Sequence, residues 1–278
     1  MKKNTVIIQG IEGSFHHIAA TKYFDDEINI LPAETFTSLI KKTEESNGAF
    51  YGIMAIENSI AGSILRNYGL LQNSYLRIEG EIYINIKQNL LTLPDTELKD
   101  IREIHSHNMA IQQCERFINK HLPNVKIVET SDTALSAKNI SENKLQGIAT
   151  IASDMAAELF SLKIIKSRIE TIKNNQTRFF ILTSNNIVRT DFNKASIYFK
   201  TSHQVGSLYK VLEQFSLHDI NLSKLQSFPI LEEPWQYFFH TDLEFSTTQQ
   251  FCTVLEKIKP LTNNLIILGK YKKGKRIL

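Results

Sequence analysis

The first two thirds of the chain alternate short apolar runs with stretches of helical period. The apolar runs predict strands at residues 5–9, 51–56, 101–105, 126–128, 147–151, 164–169 and 177–183. The stretches between them predict helices at residues 14–24, 34–45, 62–71, 108–120, 132–139 and 153–162. Strands that alternate with helices in this way are typical of a parallel α/β sheet. Within residues 76–93, Ile82, Ile84 and Ile86 have the period of a half-buried strand.

The order of elements changes after residue 183. Residues 184–194 are polar and carry no core pattern, so we expect a linker here, with the division near Asn186. Beyond it the pattern predicts strand, helix, strand, strand, helix and strand at 195–201, 205–217, 221–230, 236–245, 247–258 and 265–271. This βαββαβ order is that of ferredoxin-like domains. The sequence therefore predicts an α/β domain over residues 1–185 and a smaller α+β domain over residues 194–278.

The composition narrows the class of protein. With 278 residues, 42% of them hydrophobic and 22% charged, the chain is predicted to be globular. A formal charge of +3 is too small to indicate a nucleic-acid surface, and Cys114 and Cys252 lie too far apart for a disulfide framework or a metal knuckle. The apolar run at 6–8 is too short for an export signal, and no run approaches a membrane span. We therefore expect a cytoplasmic protein without nucleic-acid or membrane partners.

A glycine turn separates the first predicted strand from its helix. Residues 10–17 read GIEGSFHH, and the N–H groups around Gly13 and Ser14 could face an anion. The segment lacks the Gly-Lys-Ser/Thr of a Walker loop and the third glycine of a dinucleotide fingerprint. An ordinary tight turn is the alternative, and this segment by itself favours the alternative.

Three polar residues follow the strand at 51–56. They are Glu57, Asn58 and Ser59, and Ser59 lacks the flanking glycines of a nucleophile elbow. Binding is therefore favoured over covalent catalysis, since the Asn58 amide can both donate and accept hydrogen bonds. A helix cap formed by Asn58 or Ser59 explains the same residues equally well.

The strand at 177–183 opens with Thr177, Arg178 and Phe179. A guanidinium can hold a carboxylate through two parallel hydrogen bonds, so Arg178 is a candidate for an anionic substrate. A surface salt bridge is the alternative. Two histidine pairs, His16-His17 and His105-Ser106-His107, invite a metal interpretation, but no further ligands accompany them. We expect no metal, and a zinc hydrolase using His105 and His107 is a disfavoured alternative.

Five blocks in this order resemble the prephenate dehydratase family. They are GIEGSF at 10–15, GIMAIENSIAGS at 52–63, SHNMAIQQC at 106–114, TRF at 177–179 and VGSLYKVL at 205–212. The first four resemble the catalytic domain of that family, and the last resembles the helix start of an ACT domain, a ferredoxin-like regulatory unit. The resemblance implies a two-lobed, periplasmic-binding-protein-like α/β domain followed by an ACT domain. It places one lobe at about 1–78 and 175–185 and the other at about 79–174.

The same resemblance implies a reaction. Prephenate would lose its ring hydroxyl and ring carboxylate to give phenylpyruvate, carbon dioxide and water in L-phenylalanine biosynthesis, with no cofactor. Thr177 would lie at the departing hydroxyl, while Asn58, Ser106 and Gln113 match positions that take part in or support catalysis. Because a threonine hydroxyl is a poor acid, we expect Thr177 to donate a hydrogen bond to the leaving oxygen.

The substrate-binding residues follow from the same blocks. We expect Arg178 to hold a substrate carboxylate and Phe179 to pack on the ring or on Arg178. Further substrate contacts are expected from Gly13, Ser14, Glu57 and Ser59. Arogenate dehydratase and a catalytically inactive amino-acid sensor remain alternatives, and the retained Thr177 and Arg178 argue against the sensor.

The resemblance of the last domain implies an effector, L-phenylalanine, and a homodimer or homotetramer. Its binding site is expected at Gly206, Ser207, Leu208, Gln226, Ser227 and Pro229. Gln226 and Phe228 replace the two charged residues of the family's Glu-Ser-Arg-Pro segment. The strength and specificity of feedback therefore stay open at the level of sequence.

Overall fold

The computed structural model describes residues 3–25, 28–186, 189–230 and 235–277. The chain divides into two compact units. The first comprises Met1–Tyr75, Ile82–Phe180 and Arg276–Leu278, and the second comprises Leu76–Glu81 and Ile181–Lys275. In the described ranges, the helices fall short of the length and apolar character that a membrane crossing requires.

The strands and helices alternate along most of the chain. In chain order the strands are β1 (Asn4–Gln9), β2 (Ile28–Ala33), β3 (Phe50–Asn58), β4 (Gly62–Ser63), β5 (Arg77–Asn85), β6 (Asn89–Thr92), β7 (Glu103–His107), β8 (Lys126–Thr130), β9 (Ile148–Ala152), β10 (Lys163–Lys166), β11 (Gln176–Thr183), β12 (Lys194–Lys200), β13 (Asn221–Pro229), β14 (Tyr237–Glu244), β15 (Asn263–Tyr271) and β16 (Arg276–Ile277). The helices are α1 (Phe15–Phe24), α2 (Phe36–Glu45), α3 (Leu65–Gln72), α4 (Asn108–His121), α5 (Thr133–Glu142), α6 (Asp154–Leu159), α7 (Ser207–Leu217) and α8 (Thr248–Ile258). The helix predicted from residue 62 begins at Leu65, because Gly62 and Ser63 pair with β3.

The first lobe is built on a sheet with the order β16-β5-β11-β3-β1-β2, with β4 added to β3. β1 lies parallel to both β2 and β3. Its residues Val6, Ile7 and Ile8 are fully buried, since a parallel strand covered on both faces reads as a continuous apolar run. Helices α1, α2 and α3 belong to this lobe and contact its strands.

The second lobe is built on a sheet with the order β10-β6-β9-β7-β8. β7 is parallel to β8 and β9, as predicted, but β6 runs antiparallel to β9 and to β10. The sheet of this lobe is therefore mixed, with the predicted parallel pairing at β7 and antiparallel pairing at β6. Strand direction depends on where the chain enters the sheet, and alternation of strands with helices does not encode that point.

Two connections join the lobes and run side by side. The Ile86 N–H donates to the Asn175 carbonyl at 2.7 Å, and the Ile169 N–H donates to the Gln88 carbonyl at 2.8 Å. The first crossing thus lies at residues 86–88, because β5, which ends at Asn85, belongs to the sheet of the first lobe and β6, which begins at Asn89, belongs to that of the second. The predicted α/β class with two lobes is confirmed.

The second unit contains the βαββαβ segment, and its sheet has the ferredoxin-like order β13-β14-β12-β15. Ala195, Ile197 and Phe199 on β12 join the core formed with α7 and α8. Lys194 lies on the same strand and is buried, with its ammonium 3.0 Å from the Glu81 carboxylate and 3.2 Å from the Glu244 carboxylate. The predicted order of elements is confirmed.

Candidate active site

A cavity of about 640 Å³ lies between the two lobes, within the first unit. From the first lobe, the residues with chemical roles that line it are Ser14, His16, Asn58, Arg66, Thr177 and Phe179. From the second lobe they are His107, Gln113 and Asp132, with Gln88 at the crossing. Of the predicted catalytic residues, the structure therefore brings together Asn58, Gln113 and Thr177.

Asn58 ends β3 and holds the site together through its amide. The amide oxygen accepts the N–H groups of Ile60 at 3.0 Å and Ala61 at 2.9 Å. The amide nitrogen donates to Thr177 Oγ1 at 3.0 Å and to Asn175 Oδ1 at 2.7 Å. The Asn58 oxygen thus organises the turn between β3 and β4 and caps no helix, since α3 begins only at Leu65, while the nitrogen faces β11.

This arrangement sets the direction of the Thr177 hydroxyl. Because Thr177 Oγ1 accepts from Asn58, its own proton points elsewhere, and it meets no acceptor among the described residues. Thr177 is 9% exposed, at the wall of the cavity. The Thr177 hydroxyl proton is therefore available for a hydrogen bond to a ligand in the cavity.

Alternation along β11 separates Thr177 from Arg178. Thr177 and Phe179 line the cavity, whereas Arg178 does not. The Arg178 guanidinium lies 4.6 Å from the centre of the Phe180 ring and 3.8 Å from the Glu57 carboxylate. The structure therefore places Arg178 away from the cavity, on the face of β11 opposite to Thr177, because successive side chains of a strand point to opposite faces.

Arg66 is the one lysine or arginine among the described residues that lines the cavity, and it was not among the residues predicted from the sequence. It lies in the first turn of α3, is exposed, and forms no ion pair with any residue that the structure describes. No motif marks it. The only sequence signal was its position at the start of the helix that follows the Asn58 segment, because the start of that helix lies near the same edge of the sheet as Asn58.

Gln113 offers a second donor from the opposite lobe. Its Oε1 accepts from Gln88 Nε2 at 3.1 Å, so the Gln113 amide nitrogen is left for the cavity. Gln88 is 3% exposed, and its own Oε1 has no hydrogen-bond partner among the described residues. Internal donors thus occupy the acceptors of both Thr177 and Gln113, which leaves their donors for a ligand.

His16 is a third lining residue whose acceptor is occupied by a donor of the protein. The Ala55 N–H donates to His16 Nε2 at 3.3 Å, so the neutral ring carries its proton on Nδ1. The ring makes an edge contact with Phe179, with centroids 5.0 Å apart, and a tilted contact with Phe36 at 5.5 Å. Burial lowers the pKa of His16 to about 4, so the imidazole is neutral near pH 7.

Asp132 brings a carboxylate to the cavity from the second lobe. Its Oδ1 caps α5 by accepting the Leu135 N–H at 2.8 Å. A Cβ placed on Gly10 would lie 2.6 Å from Asp132 Oδ2, so the turn of the first lobe packs directly on this carboxylate. Burial raises the pKa of Asp132, while the helix N–H groups and the nearby His107 act in the opposite direction.

The N–H groups of Gly13 and Ser14, which were expected to face an anion, form hydrogen bonds within the turn and the helix that follows it. The Gly13 N–H donates to His17 Nδ1 at 3.1 Å, and the Ser14 N–H donates to the Ile11 carbonyl at 3.2 Å. The Gly13 carbonyl accepts from Ser153 Oγ of the second lobe at 2.6 Å. Gly13 therefore joins the two lobes, and only Ser14 of this pair lines the cavity.

Three further predicted residues lie outside the cavity. Ser59 and Gln176 exchange two hydrogen bonds, of 2.8 and 2.9 Å, which join the end of β3 to the start of β11. Glu57 pairs with Arg178. Ser106 is fully buried and donates to the Ile151 carbonyl at 2.7 Å, which ties β7 to β9. Each of the three side chains is thus engaged in a contact within the fold, outside the cavity.

The histidines of the zinc alternative have other partners. His105 Nε2 lies 2.7 Å from the Glu103 carboxylate, which also pairs with Lys126. His107 Nδ1 accepts the Met109 N–H at 3.2 Å and caps α4. Over the described ranges, no group of three or more His, Cys, Asp or Glu side chains could hold a metal ion.

The predicted effector residues divide into two groups in the second unit. Gly206, Ser207 and Leu208 line a cavity of about 520 Å³ at the start of α7, together with Tyr209, Tyr237 and Phe239. Gln226, Ser227 and Pro229 lie on β13 at the edge of the sheet and do not line it. Within one chain, the structure therefore assembles half of the predicted effector site.

Comparison with known proteins shows the family to which the sequence belongs. The sequence profile of the family described as prephenate dehydratase matches residues 6–187. The bifunctional chorismate mutase/prephenate dehydratase of Aquifex aeolicus (strain VF5) is 32% identical over 274 residues, covering 98% of this chain and 75% of that protein.

Two solved structures share the fold over nearly the whole chain. GqqA, described as a novel type of quorum quenching acylase, has a TM-score of 0.87 at 26% identity and covers 97% of this chain and 98% of its own. Prephenate dehydratase from Arthrobacter aurescens in complex with L-Phe has a TM-score of 0.85 at 24% identity and covers 97% and 90%. With the family profile matching the catalytic blocks, the chain belongs to the prephenate dehydratase family.

Proposed function

We propose that the protein is a carbon–oxygen lyase that converts prephenate to phenylpyruvate, carbon dioxide and water. The observation that carries the proposal is the Asn58–Thr177 hydrogen bond, which leaves the Thr177 proton for a ligand in the cavity. In the reaction, the bond to the ring carboxylate breaks and its electron pair enters the ring, which becomes aromatic. The bond to the ring hydroxyl breaks at the same time, and the departing hydroxide takes up a proton that comes from the solvent to become water.

The lining residues supply what this reaction requires. Because aromatisation drives the bond cleavage, the protein has to position the dianion and stabilise the leaving oxygen. Thr177 donates to that oxygen, and Gln113 offers a further donor from the facing lobe. Arg66 takes the role that was expected of Arg178 and holds a substrate carboxylate. Phe179 and His16 provide the apolar wall against the ring.

The test is turnover of prephenate by purified protein and two variants of Thr177. Removal of one aligned donor typically costs about 10²–10³-fold in kcat, and we expect that loss for Thr177→Ala. Thr177→Ser keeps the hydroxyl and is expected to retain turnover within about tenfold. Wild-type turnover in Thr177→Ala, or none in the unmodified protein, would contradict the proposal.

Arogenate is a second candidate substrate, and Asp132 is the observation that favours it. Arogenate carries an α-ammonium where prephenate has a keto oxygen. The second oxygen of Asp132 faces the turn at Gly10 and is not the one that caps α5. An ionised carboxylate at this position attracts an ammonium group and repels the dianionic keto acid.

Asp132→Ser is the appropriate variant, because serine also caps helices well and removes only the charge. We expect it to lower kcat/KM for arogenate by about tenfold, the effect of about 1.4 kcal/mol, and to leave or improve kcat/KM for prephenate. A ratio of the two kcat/KM values that does not change would exclude arogenate recognition by Asp132.

The described contacts do not favour acyl transfer, the activity described for GqqA. Activation of a hydroxyl nucleophile requires a base within hydrogen-bond reach. Among the described residues, His16 accepts from the Ala55 N–H and His107 from the Met109 N–H, and neither ring bonds a hydroxyl. Hydrolysis of an N-acyl amide by the purified protein would contradict this inference.

For the second unit we propose an ACT-type regulatory role with L-phenylalanine as effector. The cavity at α7 combines the aromatic side chains of Tyr209, Tyr237 and Phe239 with the polar turn before Ser207. Val205 is fully exposed and Tyr209 is 63% exposed at its edge, as expected of a site completed by a second protomer in a homo-oligomer. Calorimetric titration of the whole protein with L-phenylalanine, with D-phenylalanine as control, tests this. Absence of heat together with unchanged turnover would contradict it.

A further inference from the structure

Asn175 lies immediately before β11 and is fully buried. Its side-chain oxygen accepts the Asn58 amide at 2.7 Å, the same amide nitrogen that donates to Thr177. Its backbone carbonyl accepts the Ile86 N–H at 2.7 Å, on the other connection between the lobes. One residue thus contacts both the interlobe crossing and the partner of Thr177.

The hydrogen-bond directions around Asn58 are determined by its neighbours. Its oxygen is occupied by the N–H groups of Ile60 and Ala61, so its nitrogen faces β11. Asn175 therefore has to present its oxygen to that nitrogen, since the reversed amide would place two donors against each other. Its own nitrogen is buried and has no hydrogen-bond partner among the described residues, so only the acceptor of Asn175 has a role here.

We propose that Asn175 is a positioning residue for the reaction. Its Oδ1 takes one N–H of the Asn58 amide and holds that amide in place, so that the other N–H meets Thr177 Oγ1 and the Thr177 proton faces the cavity. Asn175 does not line the cavity and acts through Asn58. The inference rests on the proposed dehydratase function and adds a residue to its machinery.

Two variants of nearly the same size as asparagine distinguish loss of the hydrogen-bond acceptor of Asn175 from a change in side-chain shape. Asn175→Leu keeps the branched outline and removes the oxygen. Misalignment of a reacting group by about 1 Å can cost about 10²-fold, so we expect kcat to fall by about that factor with KM within about threefold. Asn175→Asp keeps an acceptor in either protonation state, and we expect it to retain kcat within about tenfold.

The double variant Asn175→Leu/Thr177→Ala completes the experiment. Once Thr177 lacks its hydroxyl, loss of Asn175 is expected to cost less than about threefold more, since residues that act as a unit are not additive. Wild-type turnover in Asn175→Leu, equal losses in the Leu and Asp variants, or additive losses in the double variant would each overturn the inference. Failure of the unmodified protein to turn over prephenate or arogenate would instead contradict the proposed function.

Discussion

Replacement of Gly10 by alanine tests how closely the two lobes approach at the cavity. Gly10 has a φ of +89°, in the left-handed region that favours glycine. An added Cβ would lie 2.6 Å from Asp132 Oδ2 and 3.4 Å from Asp132 Cγ. The variant therefore carries a backbone cost in the first lobe and a steric conflict with the second.

The two costs can be estimated separately. A non-glycine residue in the left-handed region costs about 1–2 kcal/mol. Relief of the steric conflict requires the Asp132 side chain to turn away, which breaks its hydrogen bond to the Leu135 N–H, and loss of such a helix cap costs about 1 kcal/mol. Gly10→Ala is thus expected to lower the free energy of unfolding by about 2–3 kcal/mol.

Gly62→Ala is the matched control for stability. Gly62 has a φ of +81°, and an added Cβ would meet nothing within 4 Å, so only the backbone cost of about 1–2 kcal/mol applies. Urea unfolding followed by circular dichroism measures both variants. In an Asp132→Ala background the steric conflict is absent, and Gly10→Ala is expected to cost no more than Gly62→Ala. Equal losses for the two glycine variants in the wild-type background would refute the close interlobe packing.

The remaining predictions concern charge and pH. Arg66→Ala is expected to raise KM for prephenate by about tenfold in steady-state assays, because a charge-assisted hydrogen bond is lost. Arg178→Ala is expected to lower stability and to leave KM within about threefold. A larger increase in KM for Arg178→Ala than for Arg66→Ala would indicate that Arg178 binds the substrate. His16 gains its proton near pH 6.5 in the unfolded chain but only near pH 4 in the folded protein, so stability falls as pH drops through that window, by up to about 3 kcal/mol. His16→Asn is expected to flatten this part of the pH–stability curve, and an unchanged curve would contradict a neutral buried ring. Ser153→Ala removes the bond to Gly13 and a helix cap, so it is expected to cost about 1–2 kcal/mol in urea unfolding.

The order of elements could be predicted because apolar periodicity is a local property. The run at 6–8 has the composition of a strand covered on both faces, and β1 is such a strand. The change to a βαββαβ order after residue 183 could likewise be predicted from the sequence, and the second unit has this topology. Strand direction in the second lobe could not be predicted in this way. β6 and β10 run antiparallel to their neighbours because of where the chain enters the sheet, which apolar periodicity does not encode.

The residues of the candidate site also fall into those that the sequence indicated and those that only the structure shows. The motifs around Asn58, Gln113 and Thr177 named residues that line the cavity. The TRF motif also named Arg178, but its side chain lies on the other face of β11, against Phe180. Period-two alternation puts these neighbours on opposite faces, and only the packed sheet shows which face meets the cavity.

The sequence by itself therefore determined the family blocks and the order of strands and helices, and it named three residues that line the cavity, because each of these is encoded in consecutive residues or in a short period. The tertiary structure decided which groups meet. Arg66 on α3, Asp132 on α5 and His16 on α1 converge on one cavity from separate elements. Asn175 accepts a hydrogen bond from Asn58, which lies 117 positions away in the chain. Such contacts depend on how sheets and helices pack, and no local pattern of side chains records them.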